Sequence, residues 1–236
     1  MTRLIYVILI SAPIVFFYVL KSNYVVLHEK RYSEKECYSM VRHMVTIMKL
    51  NGNIRTKVYG LENLPEDGGY VMYPNHQGKY DVLGIIGAHK KPCTFVIDKK
   101  RSGIPFAREI TKLLKASELD KTDMRSQVKT ISTVTKQVKE GRRYIIFPEG
   151  GYDDNNNDVH EFMAGTFKCS VNSQTPIVPV ALIDSYKVFG VNSLRRVKTQ
   201  VHFLEPIYYD DYKNLSTKEI SSMVQSKIVD VVEAYS

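Results

Sequence analysis

The chain has 236 residues, 44% of them hydrophobic, which is enough for one sizeable α/β domain with a short appendage. Its formal net charge of +8 favours an anionic partner, such as a membrane surface, nucleic acid or an acidic substrate. The three cysteines, Cys37, Cys93 and Cys169, form no CxxC pair, which argues against a disulfide framework or a structural zinc site and suits a reducing cytosolic domain.

An uncharged run from Leu4 to Leu20 opens the chain, between Arg3 and Lys21. As one helix it would be roughly 25 Å long, near the lower limit for crossing a bilayer, and Pro13 is expected to kink it. A helix that lies in one leaflet and a cleaved signal peptide are the alternatives, but no A-x-A-like cleavage site follows the run. Basic residues from Lys21 to Lys35 predict a cell-membrane protein whose remaining chain is cytoplasmic.

A second helix is predicted from the capping box Ser33-Glu-Lys-Glu36 to about Gly52. Apolar residues follow at helical spacing: Cys37, Met40, Val41, Met44, Val45 and Met48. Such an amphipathic helix packs either into the core of the domain or against a membrane. The pattern predicts two parts, a membrane anchor with an amphipathic helix at residues 1–52 and an α/β domain at residues 53–236.

From Ile54 onward, β-prone runs alternate with helical runs. The predicted strands are Arg55–Tyr59, Tyr70–Tyr73, Cys93–Ile97, Tyr144–Phe147, Ile177–Ile183 and Thr199–Leu204. The predicted helices are Tyr80–Ala88, Pro105–Leu114, Met124–Lys139 and Ala164–Val171, with a last helix that begins at the capping box of Ser216. This alternation predicts an α/β sheet covered by helices on both faces.

The segment PNHQGKYD, from Pro74 to Asp81, lies between a predicted strand and a predicted helix. His76 and Asp81 are five residues apart, so on one helix their side chains would point roughly 140° apart. They can touch only if His76 lies in the turn before the helix and Asp81 in its first turn. Asp81 would then accept from one imidazole nitrogen and leave the other as a proton acceptor. The alternative is a histidine that caps the helix beside an exposed aspartate.

The segment YIIFPEG, from Tyr144 to Gly150, reads as a buried strand that ends in a turn with a carboxylate. Ligands of α/β sheets bind at the carboxyl ends of the strands, so Glu149 and Gly150 are candidate substrate contacts. The alternative is a glutamate in an ordinary surface turn.

NHQGKYD, FPEG roughly seventy residues later, and the strand IVPVAL together resemble the glycerolipid acyltransferase family. Its best-known members are 1-acylglycerol-3-phosphate (lysophosphatidic acid) acyltransferases. The resemblance extends roughly from Tyr59 to Pro206 and implies a single mixed sheet flanked by helices, with an N-terminal membrane-associated helix pair. It also implies transfer of a fatty acyl group from an acyl thioester to the free hydroxyl of 1-acylglycerol-3-phosphate, which makes phosphatidic acid in phospholipid synthesis.

The resemblance places catalysis on His76 and Asp81, with His76 as the general base. Because the chain has no GxSxG elbow, we expect direct transfer without an acyl-enzyme, and backbone N–H groups near Gly78 as oxyanion donors. The resemblance implies no cofactor or metal, and acyl-CoA or acyl carrier protein as the acyl donor. The expected substrate contacts are Asn75, Gly78, Lys79, Arg101, Lys121, Glu149, Gly150 and Tyr152.

Two positions depart from the family's pattern. Gly151-Tyr152-Asp153 stands where many relatives carry Thr-Arg-Ser, and Leu119-Asp120-Lys121 stands where Ile-Asp-Arg is common. Both arginines are usually linked to the acceptor's phosphate, so their absence makes another lysolipid the alternative acceptor. Lysophosphatidic acid is still the expected acceptor, because Lys79, Arg101 and Lys168 lie close in sequence to the motifs and can replace the lost charge. The alternative from another functional class is a membrane protein that binds lipid but catalyses no reaction. Nucleic acid is not an expected partner because the chain carries no nucleic-acid-binding motif.

Overall fold

The computed structural model describes residues 2–153 and 155–236, and seven strands are found within them. They are β1 (Ile54–Tyr59), β2 (Tyr70–Pro74), β3 (Thr94–Asp98), β4 (Ser117–Leu119), β5 (Arg143–Ile145), β6 (Ile177–Ile183) and β7 (Val197–Phe203). One sheet joins them in the order β1-β7-β6-β2-β5-β3-β4. Strands β2 to β6 are mutually parallel, whereas β7 is antiparallel to β6 and β1 is parallel to β7. The sheet is therefore mixed, as expected.

The α-helices flank this sheet. Within the described residues they are α1 (Thr2–Ile10), α2 (Ala12–Leu27), α3 (Glu34–Asn51), α4 (Asp81–Ala88), α5 (Lys99–Ser102), α6 (Ala107–Leu113), α7 (Met124–Lys139), α8 (Lys168–Ser173), α9 (Tyr209–Tyr212) and α10 (Thr217–Tyr235). The prediction missed β4, whose sequence SEL is too short to show apolar alternation. Helix α6 begins later than predicted because Phe106, at φ 75°, has left-handed backbone that a helix cannot contain.

The N-terminal apolar run forms two helices, so the prediction of one kinked helix over Leu4–Leu20 is wrong. The chain breaks at Ser11, between α1 and α2, with a bend of 75°. Pro13 lies in the first turn of α2, where the absence of a backbone N–H costs least, but it cannot continue a helix from α1. No single described helix is long and apolar enough to cross a membrane, while α1 and α2 together meet that test of length and composition.

The amphipathic helix α3 packs into the core, which decides between its two predicted roles. Its capping box at Ser33 is present, and its buried side chains belong to the cluster that covers one face of the sheet. Val7 of α1 and Val25 of α2 join the same cluster. A second cluster, from α7, α8 and α10, covers the other face. The boundary at residue 52 stays a prediction, but residues on both sides of it share one apolar core.

Candidate active site

The carboxyl ends of the parallel strands bring the predicted site residues together. His76 follows β2, Glu149 follows β5, Arg101 lies in α5 directly after β3, and Lys121 follows β4. This edge is where α/β sheets bind ligands. Eight predicted residues line one cavity of about 1260 Å³: His76, Gly78, Lys79, Arg101, Lys121, Glu149, Gly150 and Tyr152.

The rest of the cavity wall is mainly apolar and comes from helices on both sides of the sheet, with Val128 and Ile131 of α7 on one side. Helices α1 and α2 contribute Val7, Ile14 and Val19, α3 contributes Met44, and α6 contributes Ile110. The N-terminal helices are therefore part of the wall. A histidine beside a large apolar cavity is suited to reactions on lipid substrates.

His76 and Asp81 form the predicted pair. Nδ1 of His76 lies 2.6 Å from Oδ2 of Asp81, which is 0% exposed, whereas the His76 side chain is 16% exposed. His76 lies in the turn after β2, and Asp81 is the first residue of α4, as the five-residue offset required. Because Nδ1 is engaged by the carboxylate, Nε2 is the nitrogen left to exchange a proton with a ligand.

Three further donors surround the Asp81 carboxylate. The backbone N–H groups of Gln77 and Gly78 donate to Oδ2 at 2.6 and 2.8 Å, and the Ser185 hydroxyl donates to Oδ1. An oxyanion role for other backbone N–H groups around this turn stays a prediction, but the N–H of Gly78 is not available for it. That N–H is committed to the carboxylate, since a buried carboxylate needs donors in place of water.

Two aromatic rings fix the plane of the His76 imidazole. The ring of Phe147 stacks on it at 4.0 Å between centroids, and the ring of Tyr152 contacts it edge-on at 4.6 Å. Tyr152 is held in turn by Arg101, whose guanidinium donates to its hydroxyl at 2.8 Å and lies 4.9 Å from its ring centroid. Packing on both sides restricts the imidazole to few orientations.

Glu149 lies under the same loop. Its Oε1 accepts the backbone N–H of His76 at 2.8 Å, while its buried Oε2 has no hydrogen-bond partner in the described part of the chain. Burial, with a smaller contribution from the charge of Asp81, raises the pKa of Glu149 from 4.5 to about 8, and the backbone groups of His76 and His160 offset this rise only in part. Near neutral pH, Glu149 is then mostly a neutral acid whose side chain is 0% exposed, with Oε2 at 3.9 Å from Nδ1 of His160.

The shifted pKa of Glu149 predicts a pH-dependent stability. The pKa of Glu149 is about 4.5 in the unfolded chain and about 8 in the folded protein. The bound proton therefore stabilises the folded state fully below about pH 4.5, and this stabilisation is lost as the pH rises to about 8. Glu149→Gln removes the titration. Between pH 5 and pH 8, the unfolding free energy of the unmodified protein should fall by more than about 1 kcal/mol relative to the variant, measured by urea unfolding. Parallel pH profiles would contradict the shift.

Lys121 and Asn75 have different positions relative to the cavity. Lys121 lies on the wall, where its ammonium donates to the carbonyl of Gly150 at 2.5 Å and pairs with Asp98 at 3.3 Å. Asn75 lies beneath the wall, and its side chain exchanges two hydrogen bonds with the backbone of Leu182. The side-chain amide of Asn75 thereby continues the β2–β6 hydrogen bonding beyond the end of β2. It attaches the turn that carries His76 to the sheet.

Sequence reasoning missed Phe147, Gln77 and Ser185. Phe147 belongs to FPEG, and Gln77 lies inside NHQGKYD, so their proximity to the site could have been inferred from the motifs. Ser185 follows β6 at the same edge of the sheet, and only the pairing of β6 with β2 brings it close to Asp81. Within the described residues, no group of three or more His, Cys, Asp or Glu side chains is placed to hold a metal ion.

Comparison with known proteins identifies the fold and the family. The solved structure of the 1-acyl-sn-glycerophosphate (LPA) acyltransferase of Thermotoga maritima matches with a TM-score of 0.80 and 19% sequence identity, covering 98% of this chain and 94% of that one. The 1-acyl-sn-glycerol-3-phosphate acyltransferase of Borreliella burgdorferi is 27% identical over 83% of this chain and 79% of its own. The alpha enzyme of Homo sapiens is 27% identical over 73% and 62%. Residues 55–183, more than half of the chain, match the acyltransferase family, and the chain belongs to that family.

Proposed function

We propose that the chain transfers a fatty acyl group from an acyl thioester to the free hydroxyl of 1-acylglycerol-3-phosphate, which yields phosphatidic acid for phospholipid synthesis. The observation that carries the proposal is His76 on the wall of a large, mainly apolar cavity, with the buried Asp81 bonded to its Nδ1. The names of the Borreliella and human relatives support the same acceptor. The acyl donor is acyl-CoA or an acyl carrier protein thioester.

His76 carries the proton in this reaction. Its Nε2 takes the proton of the acceptor's hydroxyl while that oxygen attacks the thioester carbonyl. The tetrahedral intermediate then collapses, the C–S bond breaks, and the thiolate takes the proton from the imidazolium. Asp81 stabilises the imidazolium and keeps Nδ1 protonated, while the acceptor supplies the nucleophile that a serine supplies in hydrolases.

The polar part of the wall fits an anionic acceptor. Lys79, Arg101, Lys121 and Lys168 line the cavity, and such cations attract a phosphate group. Glu149 is a predicted acceptor contact, but its side chain is 0% exposed, and its Oε1 accepts the backbone N–H of His76. Since the N–H groups of Gln77 and Gly78 are engaged by Asp81, the lysines and arginine of the wall are a candidate source of positive charge for the oxyanion.

The apolar part of the wall fits acyl chains, and the N-terminal helices fit a membrane-bound position. Helices α1 and α2 present their inner side to the cavity and expose large apolar side chains on their outer side. We propose that this outer side lies in one leaflet of the cell membrane, with the α/β domain on the cytoplasmic side. Lipid substrates then reach His76 without crossing bulk water.

A direct assay tests the proposed function. Purified full-length protein is incubated with acyl-CoA and a panel of lysolipids, and products are identified by mass spectrometry. Phosphatidic acid formed from lysophosphatidic acid is the expected product. A neutral lysolipid acylated far faster would contradict the acceptor, and lipid binding without any product would favour a non-catalytic protein.

Neutralising Lys121 tests the acceptor site. Lys121→Gln should raise KM for lysophosphatidic acid by about tenfold, because one phosphate-facing charge is lost, and it should change KM for the acyl donor much less. Steady-state kinetics with each substrate varied in turn measures both constants.

Lys139→Gln is the matched control, since Lys139 is exposed on α7 away from the cavity wall. It should leave both KM values unchanged. Equal increases of the two KM values in Lys121→Gln would show that Lys121 does not act on the acceptor.

A further inference from the structure

Ser185 is a buried serine in the first position of the short 3₁₀ turn Ser185–Val188, which follows β6. It is 3% exposed. Its hydroxyl lies within hydrogen-bond distance of two acceptors, Oδ1 of Asp81 and Oε1 of Gln77. It is the one side chain, among the described residues, that donates to Oδ1 of Asp81.

The hydroxyl carries a single proton, so it can donate to only one of these acceptors. Oε1 of Gln77 already accepts the backbone N–H of Ser185 at 2.9 Å. A carboxylate is also a stronger acceptor than an amide. The proton of Ser185 therefore goes to Asp81, opposite the oxygen that holds His76.

We propose that Ser185 is a positioning residue for the His76–Asp81 pair, an inference that rests on the proposed function. Oδ2 of Asp81 receives His76 and two backbone N–H groups, and Ser185 holds the other oxygen. With both oxygens held, the carboxylate cannot rotate about its C–C bond. Its orientation fixes the direction of the Nδ1 hydrogen bond, and hence the direction in which Nε2 of His76 faces the cavity.

Gln77 ties the Ser185 turn to the loop of His76. Its Oε1 accepts from Ser185, while its Nε2 donates at 2.8 Å both to the carbonyl of Leu182 and to Oδ1 of Asn157. Its backbone N–H donates to Asp81. One side chain thus connects the ends of β2 and β6, so Ser185 has a fixed position relative to Asp81.

Arg3 of α1 holds the far end of the same turn. Its buried guanidinium donates to the carbonyls of Lys187 and Val188 at 3.1 Å, and to that of Arg195. The residues from Ser185 to Val188 are therefore fixed at one end by the active-site loop and at the other by the N-terminal helix. Ser185 keeps its place through contacts that do not involve substrate.

Removal of the hydroxyl tests the inference. Ser185→Ala should lower kcat by about 10- to 100-fold through misorientation of the catalytic pair, with KM for both substrates nearly unchanged. Ser185→Cys keeps the size of the side chain but has a weaker donor, and it should lower kcat in the same direction. Ser221→Ala is the control, because Ser221 is similarly buried and its hydroxyl, among the described residues, bonds only the carbonyl of Phe162.

A double-mutant cycle separates positioning from a general loss of packing. In an Asp81→Ala background, Ser185→Ala should change kcat by less than about twofold, since the group through which it acts is gone. The same loss in both backgrounds, or a normal kcat in folded Ser185→Ala protein, would overturn the inference.

A spectroscopic readout needs no substrate. In protein labelled with ¹⁵N-histidine, the downfield Nδ1–H signal of His76, assigned by its absence in His76→Asn, should move in Ser185→Ala and Ser185→Cys but not in Ser221→Ala. An unmoved signal would overturn the role of Ser185. Failure of the unmodified protein to acylate any lysolipid, with a moved signal, would refute the proposed function and leave the positioning role supported.

Discussion

Replacing His76 by alanine is expected to lower kcat by about 10²–10⁴-fold, the usual contribution of a general base. In the proposed mechanism Nε2 of His76 takes the acceptor's proton, and no described side chain other than Asp81 forms a hydrogen bond with its ring. Because His76 is partly exposed and contributes its ring mainly to the cavity wall, the variant should fold. The measurement is kcat with lysophosphatidic acid and acyl-CoA, with melting temperature as the check on folding.

Two further variants serve as comparisons for His76→Ala. Asp81→Ala should lose less activity than His76→Ala, since the imidazole remains but loses its orientation. His28→Ala, outside the cavity at the end of α2, should keep full activity. Near-normal transfer by folded His76→Ala protein would refute the mechanism.

The local part of the site could be predicted from the sequence because the motif is contiguous. The offset between His76 and Asp81 requires a turn followed by a helix, and the structure has both. FPEG was recognisable for the same reason. Each motif follows the end of its own strand closely, so no long-range pairing was needed to place Glu149 at the edge of the sheet.

The remaining contacts depend on pairings that no local pattern encodes. Ser185 meets Asp81 across 104 positions, and Arg3 meets Val188 across 185. Hydropathy marked α1 and α2 as apolar, but an apolar run of this kind has no polar face that would identify its inner side. Position relative to the cavity, rather than composition, separates the residues of the cavity wall from those that face outward.

The outward-facing apolar side chains of α2 are expected to have a large effect on membrane binding. Phe16, Phe17 and Leu20 are 66%, 56% and 54% exposed on the outer side of α2. Moving the exposed half of such side chains into lipid contributes about 1 kcal/mol each. Changing all three to serine should therefore lower the membrane partition coefficient by roughly 10²-fold, at about 1.4 kcal/mol per factor of ten. Flotation with lipid vesicles measures the partition coefficient.

Helix α2 also offers the matched control. Val15 and Val19 line the cavity, so Val15→Ser with Val19→Ser should reduce the rate with long acyl chains while leaving vesicle binding nearly intact. The outer-side triple variant should show the reverse, with normal turnover of detergent-dispersed substrates and weak vesicle binding. Deletion of residues 1–20 should lose both properties, since it removes the outer apolar surface, the cavity wall and Arg3 together. Vesicle binding by the triple variant equal to that of the unmodified protein would show that another surface anchors the protein.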